Sequence, residues 1–258
     1  MTRSDADAEE FSQLVRMEGG KSIALPTIEI VPKDPKVILE FINELKEKNH
    51  DYCAFMSQWA VNVLFDLANR MNKTDQIISL LNSRTIIAVG SKTREVLVNR
   101  GIDVHLVPEK YSTKGLVDLF SKMNPTSQQR IIIPRSGASN DFIATALGKL
   151  GMHVDELFLY NVRTSNINPV WKDFILLLEN KRVDAIIFTS SSTARSFFEI
   201  SERISSDVPS LVRGVKAVIA IGPFTQEELR KKNIQSIESK IHTVKGTVEL
   251  AKGILNKH

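Results

Sequence analysis

The stretch Ile87–Gly90 (IAVG), followed by Thr93, decides the fold, because it recurs in the second half of the chain as Ile219–Gly222 (IAIG), followed by Thr225. Each copy is a short apolar run that ends at a glycine and is followed by polar residues able to begin a helix. The pattern therefore predicts a strand and then a helix at both places.

Three further blocks recur in the same order and at nearly the same offset along the chain. The matched pairs are Arg3-Ser4 with Arg135-Ser136; Asp51, Phe55 and Ser57 with Asp184, Phe188 and Ser190; and Lys114-Gly115 with Lys245-Gly246. One such match could arise by chance, but four in order indicate a duplication. The period far exceeds that of a solenoid repeat, so the sequence predicts two related domains.

Strands alternate with helices in both halves, which is typical of parallel sheets covered by helices on both faces. Predicted strands are Thr85–Val89, Asp103–Leu106, Arg130–Ile133, Val154–Tyr160, Ala185–Phe188, Ala217–Ile221 and Ile234–Ile237. The helices Pro35–Lys48 and Asn168–Lys181 occupy matching places in the two halves. We therefore predict an α/β protein with two flavodoxin-like or Rossmann-like parallel-sheet domains.

The repeat also predicts a gap at the start of the chain. In the second half, a strand precedes Arg135-Ser136, whereas the counterpart of that strand would lie before Met1. We expect the first sheet to lack this strand and the true start of the protein to lie upstream.

Composition excludes several classes of protein. Hydrophobic residues make up 42% of the 258 residues and charged residues 25%, which is ordinary for a globular protein. No apolar run approaches the roughly 18 residues of a membrane span, and Cys53 is the only cysteine, which removes any disulfide framework. The net charge of +4 suits an anionic partner without identifying one. We expect a cytoplasmic protein that contacts neither membrane nor nucleic acid.

Standard catalytic and metal-binding motifs are absent. The five histidines lack metal-ligand spacing, and no glycine-rich phosphate loop or nucleophile elbow is present. We therefore expect no metal and no cofactor, and we interpret Cys53, which lies within an apolar strand, as an inert core thiol.

What recurs instead is a small polar residue that follows a strand and begins a helix. These residues are Ser57, Ser91, Ser112, Thr113, Ser136, Ser190, Thr225 and Thr243. Most helix-start serines and threonines are only N-caps. However, at the carboxyl ends of parallel strands the same helix starts offer free N–H groups to carboxylates or phosphates. Repetition in both halves favours one large polyanion held between two domains.

Tyr160 lies in the apolar stretch Leu157–Val162. A tyrosine in such a strand is usually a core residue with its hydroxyl at the edge. If the strand leads from one domain to the other, the hydroxyl could instead donate a proton.

Taken in order along the chain, the motifs of this sequence resemble those of the uroporphyrinogen-III synthase family. The matching stations are Thr2-Arg3, Leu25-Pro26, Phe55–Ser57, Ala88–Gly90, Ile131–Arg135, Tyr160, Phe188–Ser190, Ala220–Pro223 with Thr225, and Thr243 with Gly246. The most specific pair is Phe-Thr-Ser followed by Ala-Ile-Gly-Pro-x-Thr. Met56 departs from the family's threonine in the first half, which weakens a polar contact there.

The resemblance implies two α/β domains joined by a two-stranded crossover linker, with crossings at Thr27–Val31 and Phe158–Val162. One domain would comprise residues 1–31 and 164–258, and the other residues 32–163. It also implies cyclisation of hydroxymethylbilane, a linear tetrapyrrole polycarboxylate, to uroporphyrinogen III with inversion of ring D and loss of water. The protein would act as a monomer without a cofactor.

The same resemblance assigns roles to particular residues. Tyr160 would be the general acid, and Arg135 would pair with a substrate carboxylate. The substrate-binding set would be Ser57, Gly90, Ser91, Ser112, Thr113, Arg135, Ser136, Thr189, Ser190, Gly222, Thr225 and Thr243. Two alternatives remain open: a non-catalytic intracellular hinge protein that binds a small anion, and a nucleic-acid-binding module. The second predicts aromatic residues interleaved with Lys and Arg, and no stretch shows them.

Overall fold

The computed structural model describes residues 2–3, 5–137 and 141–256, and the chain divides there into two units. The terminal unit contains the residues up to Glu29 together with those from Arg163 onward, and the central unit is Ile30–Val162. The family resemblance implies that the chain passes between the units after residues 31 and 163.

Ten strands and twelve helices make up the described part of the chain. The strands are β1 (Thr2–Arg3), β2 (Leu25–Pro26), β3 (Ile28–Pro32), β4 (Tyr52–Phe55), β5 (Thr85–Ala88), β6 (Arg130–Ser136), β7 (His153–Thr164), β8 (Ala185–Phe188), β9 (Ala217–Ala220) and β10 (Ile237–Glu238). The helices are α1 (Asp5–Met17), α2 (Val37–Glu47), α3 (Gln58–Arg70), α4 (Thr74–Asn82), α5 (Ser91–Asn99), α6 (Thr113–Met123), α7 (Phe142–Lys149), α8 (Pro169–Glu179), α9 (Ser191–Ile204), α10 (Val208–Arg213), α11 (Pro223–Arg230) and α12 (Val244–Leu255). No helix within these residues is long and apolar enough to cross a bilayer.

Each unit contains one five-stranded sheet. The order is β10-β9-β8-β1-β2 in the first sheet and β3-β7-β6-β4-β5 in the second. All four pairs of the first sheet are parallel, as are the pairs β7-β6, β6-β4 and β4-β5 of the second. The α/β class with parallel sheets is therefore as predicted.

The first sheet contains a short strand at the place where a strand was expected to be missing. β1 lies between β8 and β2, where Thr2 pairs with both Leu25 and Phe188. It has two residues, whereas its counterpart β6 has seven. Thr2-Arg3 corresponds to the end of β6 in the repeat and is too short to show strand periodicity in the sequence.

Both faces of each sheet are buried, and β4 shows how. Cys53 and Phe55 belong to the core beneath α2 and α3, whereas Tyr52 and Ala54 belong to the core beneath α6 and α7. Successive side chains of a strand point to opposite faces, so a strand covered on both sides must be apolar throughout. This explains why the predicted strands appear as continuous apolar runs.

Two predicted strands differ in the structure. Within Asp103–Leu106, only Leu106 forms a bridge, to Ile87, because Nδ1 of His105 accepts the Ile86 N–H at 3.1 Å and takes a donor that a longer ladder would use. The strand predicted at Ile234–Ile237 begins at Ile237 instead. The helices α1, α4 and α10 were not predicted.

Candidate functional site

Several helices follow the carboxyl ends of strands, and four helices of the described structure have side-chain N-caps. The caps and the N–H groups they accept are Ser57 from Ala60 (3.3 Å), Ser112 from Gly115 (3.1 Å), Ser190 from Thr193 (3.1 Å) and Thr243 from Gly246 (3.1 Å). Two of these helices belong to each unit. A capped helix start still has other N–H groups without helical partners, and its dipole favours an anion.

Two other helix starts are capped by glycine, which corrects two predictions. Gly90, rather than Ser91, is the N-cap of α5, and its φ of +115° strains any residue with a side chain. Ser91 is the first residue of that helix and is exposed. Gly222 is the N-cap of α11, so Thr225 does not begin the helix; its side chain is buried within the first turn.

The remaining predicted binding residues lie near the same strand ends. Thr113 is the first residue of α6, after its cap Ser112. Ser136 is the last residue of β6 and not a helix cap, because α7 has Asp141 at that position. Thr189 directly follows β8 and is buried.

A bulge directs the Tyr160 side chain. Arg135 pairs with Phe158 but Ser136 pairs with Tyr160, so β7 has one extra residue, Leu159. Strand alternation would place Leu159 and Tyr160 on opposite faces, yet both belong to the core that includes Phe55. The bulge therefore turns Tyr160 toward α3.

The Tyr160 hydroxyl lies 3.4 Å from the Ser57 hydroxyl, at the start of α3. Burial raises the pKa of Tyr160, while the hydrogen bond to Ser57 and the positive charge of Arg135 act in the opposite direction. The phenol consequently stays protonated at neutral pH, as a proton donor must. Its side chain is 6% exposed.

Arg135 is buried at the end of β6 and forms an ion pair with Glu156 on β7. Both side chains are at most 15% exposed, and Nε of Arg135 is buried without a hydrogen-bond partner. A substrate carboxylate at Arg135 would therefore compete with Glu156. Glu156 was not predicted as a site residue, although a carboxylate within the predicted strand Val154–Tyr160 was a visible signal.

A second polar cluster lies at the opposite end of the central sheet, near the amino ends of β4, β6 and β7. Nε2 of His50 is 2.9 Å from Asp155, and Lys48 lies 2.9 Å from Asp155 and 2.7 Å from Glu44. Arg130 approaches the same Asp155 carboxylate at 3.5 Å. Ligand atoms of Glu44, His50 and Asp155 lie within 4.8 Å of one another, but Lys48 already pairs with both carboxylates and Arg130 adds a second positive charge beside Asp155. Sequence spacing could not reveal this cluster, because the chain separates His50 and Asp155 by 105 positions.

Acidification is expected to destabilise the central unit through this cluster. Burial is the largest influence on the pKa of His50 and lowers it, and the positive charge of Arg130 acts in the same direction. The negative charges of Asp155 and Glu44 and the hydrogen bond to Asp155 raise it, but by less. The unfolded chain therefore takes up a proton that the folded chain resists as the pH falls below about 6.5. Although burial acts against it, hydrogen bonds from Lys48 and His50 lower the pKa of Asp155, so a second loss follows below about 3.8.

Urea unfolding between pH 7.5 and 4.5 tests the first of these losses. The free energy of unfolding should fall with pH in the wild type, and His50→Gln should remove the part of the slope below pH 6.5. Equal slopes for wild type and variant would show that His50 does not contribute.

Cys53 is fully buried in the central core, and burial raises its pKa. The thiol is thus protonated and inaccessible, as expected of an inert core cysteine.

Comparisons with known proteins agree with this arrangement. The family model described as "Uroporphyrinogen-III synthase HemD" matches residues 9–249. The uroporphyrinogen-III synthase of Synechococcus elongatus is 28% identical over 92% of this chain and 88% of its own, and a relative from Methanothermobacter thermautotrophicus is 26% identical over 96% and 94%. A solved uroporphyrinogen III synthase of Thermus thermophilus aligns with a TM-score of 0.63 at 17% identity, covering 98% of this chain and 96% of that one, which shows a similar fold.

Proposed function

The chain belongs to the uroporphyrinogen-III synthase family, and from this membership we propose that it cyclises hydroxymethylbilane to uroporphyrinogen III, with ring D inverted and water lost. It is an enzyme of tetrapyrrole synthesis, of the lyase class. The observation that carries the proposal is the family match across residues 9–249.

The helix starts suit the binding part of this reaction. The substrate carries acetate and propionate carboxylates, and its unaided closure gives the isomer without inversion, so the enzyme must hold one folded conformation. Backbone N–H groups can donate hydrogen bonds to these carboxylates at six helix starts. They are the starts of α3, α5 and α6 in the central unit and of α9, α11 and α12 in the terminal unit. The residues assigned to substrate binding from the sequence lie at or beside these starts or at the end of β6.

Tyr160 would act in the first chemical step. The carbon–oxygen bond of the terminal hydroxymethyl group breaks, and the electron pair leaves with the oxygen. A proton from the Tyr160 hydroxyl makes the leaving group water and leaves an azafulvene cation on the substrate. Ser57, 3.4 Å from that hydroxyl, would orient it.

The test of the overall function uses freshly made hydroxymethylbilane and separates the isomers of the cyclised product. We expect uroporphyrinogen III from the protein and uroporphyrinogen I from the control without enzyme. Only uroporphyrinogen I in both samples would contradict the proposal and favour a non-catalytic anion-binding protein.

Competition between Glu156 and the substrate for Arg135 leads to a separate prediction. Glu156→Gln removes the competing charge and keeps a hydrogen-bond acceptor, so the KM for hydroxymethylbilane should fall about threefold. Arg135→Gln should raise the KM about tenfold, since it removes a charged partner of a substrate carboxylate. Steady-state kinetics on both variants decides. If neither variant changes KM, the Arg135–Glu156 pair has only a structural role.

We further propose that the enzyme works as a monomer in the cytoplasm. The buried Cys53 cannot form a disulfide between copies. All the helix starts that are assigned to substrate binding belong to a single chain. Light scattering after gel filtration should give the mass of a single chain. The mass of a dimer at micromolar concentration would contradict this.

A further inference from the structure

Exposed aromatic rings are concentrated at the helix starts. Of the 17 Phe, Tyr and Trp residues of the sequence, three are exposed, and each lies immediately before a helix or in its first turn. They are Tyr111 (62% exposed, before the α6 cap), Phe142 (53%, first residue of α7) and Phe224 (83%, second residue of α11). The other aromatic side chains are buried or partly buried. Aromatic rings are therefore exposed only at the end of the sheets where the helices begin.

Tyr111 lies against the glycine cap of α5. A Cβ placed on Gly90 would lie 3.7 Å from Cγ of Tyr111. The same arrangement recurs in the terminal unit, where a Cβ on Gly222 would lie 3.8 Å from the His242 ring. Tyr111 directly precedes the α6 cap and His242 directly precedes the α12 cap, so they occupy equivalent places in the repeat. A ring beside a glycine cap is thus a built feature of both halves.

Phe224 is one of the most exposed large apolar side chains in the described structure. It directly follows Pro223, which begins α11, so it lies in the first turn of that helix, two residues after the cap Gly222. The fold gains little from a ring that is almost fully exposed. A ligand that covered this ring would gain the apolar burial that the fold itself does not take.

We propose that the rings of Tyr111 and Phe224 contact the faces of the substrate's pyrrole rings, so that aromatic contact adds to carboxylate binding in each unit. The inference rests on the proposed function, which supplies a ligand with four flat aromatic rings. Aromatic rings associate through stacked and edge-to-face contacts. A partner that bound only through carboxylates would gain nothing from exposed apolar rings.

Aromatic contact also suits the steering that the reaction requires. Carboxylates on flexible side chains fix the position of a pyrrole loosely, whereas contact with its face fixes the plane of the ring. Tyr111 and Phe224 lie in different units, so the two substitutions test the aromatic contact separately in each unit. Losing either should therefore raise KM and also increase the share of the isomer without inversion.

The experiment compares Tyr111→Ala and Phe224→Ala with two kinds of control. Tyr111→Phe and Phe224→Tyr retain a ring at each site. Leu176→Ala removes a side chain of similar exposure, 59%, from the third turn of α8, away from the helix starts. Each protein is assayed with hydroxymethylbilane for KM and for the ratio of isomers III and I, and its mass is measured by light scattering.

We expect each alanine variant to raise KM about tenfold and to release more uroporphyrinogen I. The variants that retain a ring should show a smaller rise, and Leu176→Ala should match the wild type. If the wild type makes isomer III and both alanine variants keep its KM and isomer ratio, the proposal of an aromatic contact is wrong, whereas the proposed function stands. If the wild type makes only isomer I, both proposals fail. Loss of a dimer in the alanine variants with unchanged KM would instead identify the rings as a contact between copies.

Discussion

Gly115→Ala is expected to lower the free energy of unfolding by about 3 kcal/mol. Gly115 is the third residue of α6, and its N–H donates to the cap Ser112. The loop before the helix folds back so closely that an added Cβ would lie 1.9 Å from the carbonyl oxygen of Lys110. The clash would be between the helix backbone and the backbone of Lys110, so no side chain can move to remove it. Alanine would ordinarily stabilise a helix by about 1 kcal/mol relative to glycine, so the expected sign is the reverse of the helix propensity.

The repeat supplies a second copy of this contact and a control within one helix. In α12, a Cβ on Gly246 would lie 2.5 Å from the carbonyl oxygen of Ile241, whereas one on Gly253 would meet nothing within 4 Å. Gly246→Ala should therefore cost about 2 kcal/mol, and Gly253→Ala should be neutral or stabilising. Gly148→Ala in α7, also in open space, is the control for Gly115. Urea unfolding measures all four, and equal effects at Gly246 and Gly253 would contradict the close approach.

These two glycines show what the sequence can predict. Lys114-Gly115 and Lys245-Gly246 were found only as a recurring pair, and the structure gives the reason for the recurrence. In both halves the N–H of the cap residue donates to the carbonyl of the residue two positions earlier, at 2.8 Å, and the loop then lies against the first helical turn. A local motif with a local cause appears in the sequence, and so the caps Ser57, Ser112, Ser190 and Thr243 could be predicted.

Contacts between distant parts of the chain could not be predicted in this way. Glu156 reaches Arg135 because β6 and β7 are neighbours in parallel register, and His50 reaches Asp155 from the end of α2. Backbone conformation was also hidden: the positive φ of Gly90 moves the cap of α5 one residue ahead of the predicted Ser91. The bulge that directs Tyr160 requires the partner strand as well as β7 itself, so no single stretch encodes it.

Tyr160→Phe is expected to lower kcat about 100-fold while leaving KM nearly unchanged and lowering the free energy of unfolding by only about 1 kcal/mol. The substitution retains the ring that packs in the central core and removes only the hydroxyl, whose contact with Ser57 is long, at 3.4 Å. Without a proton donor, the hydroxyl of the terminal hydroxymethyl group must leave as hydroxide, which is a poor leaving group. Because burial raises the Tyr160 pKa, the wild-type donor should stay protonated, and its contribution should not change between pH 7 and 9. Above the ordinary tyrosine value near 10, loss of that proton should reduce the rate.

Tyr52→Phe is the matched control for this experiment. Tyr52 is also a buried tyrosine of the central sheet, and its hydroxyl accepts a hydrogen bond from Gln129 at 3.1 Å. It begins β4, however, whereas Ser57 and Tyr160 lie beyond the carboxyl end of that strand. Loss of a buried hydroxyl should cost the two variants similar stability, about 1 kcal/mol, so only a role in proton transfer separates their kcat values. Equal turnover by Tyr160→Phe, Tyr52→Phe and the wild type would leave Tyr160 as a core residue and assign loss of water to the substrate's own chemistry.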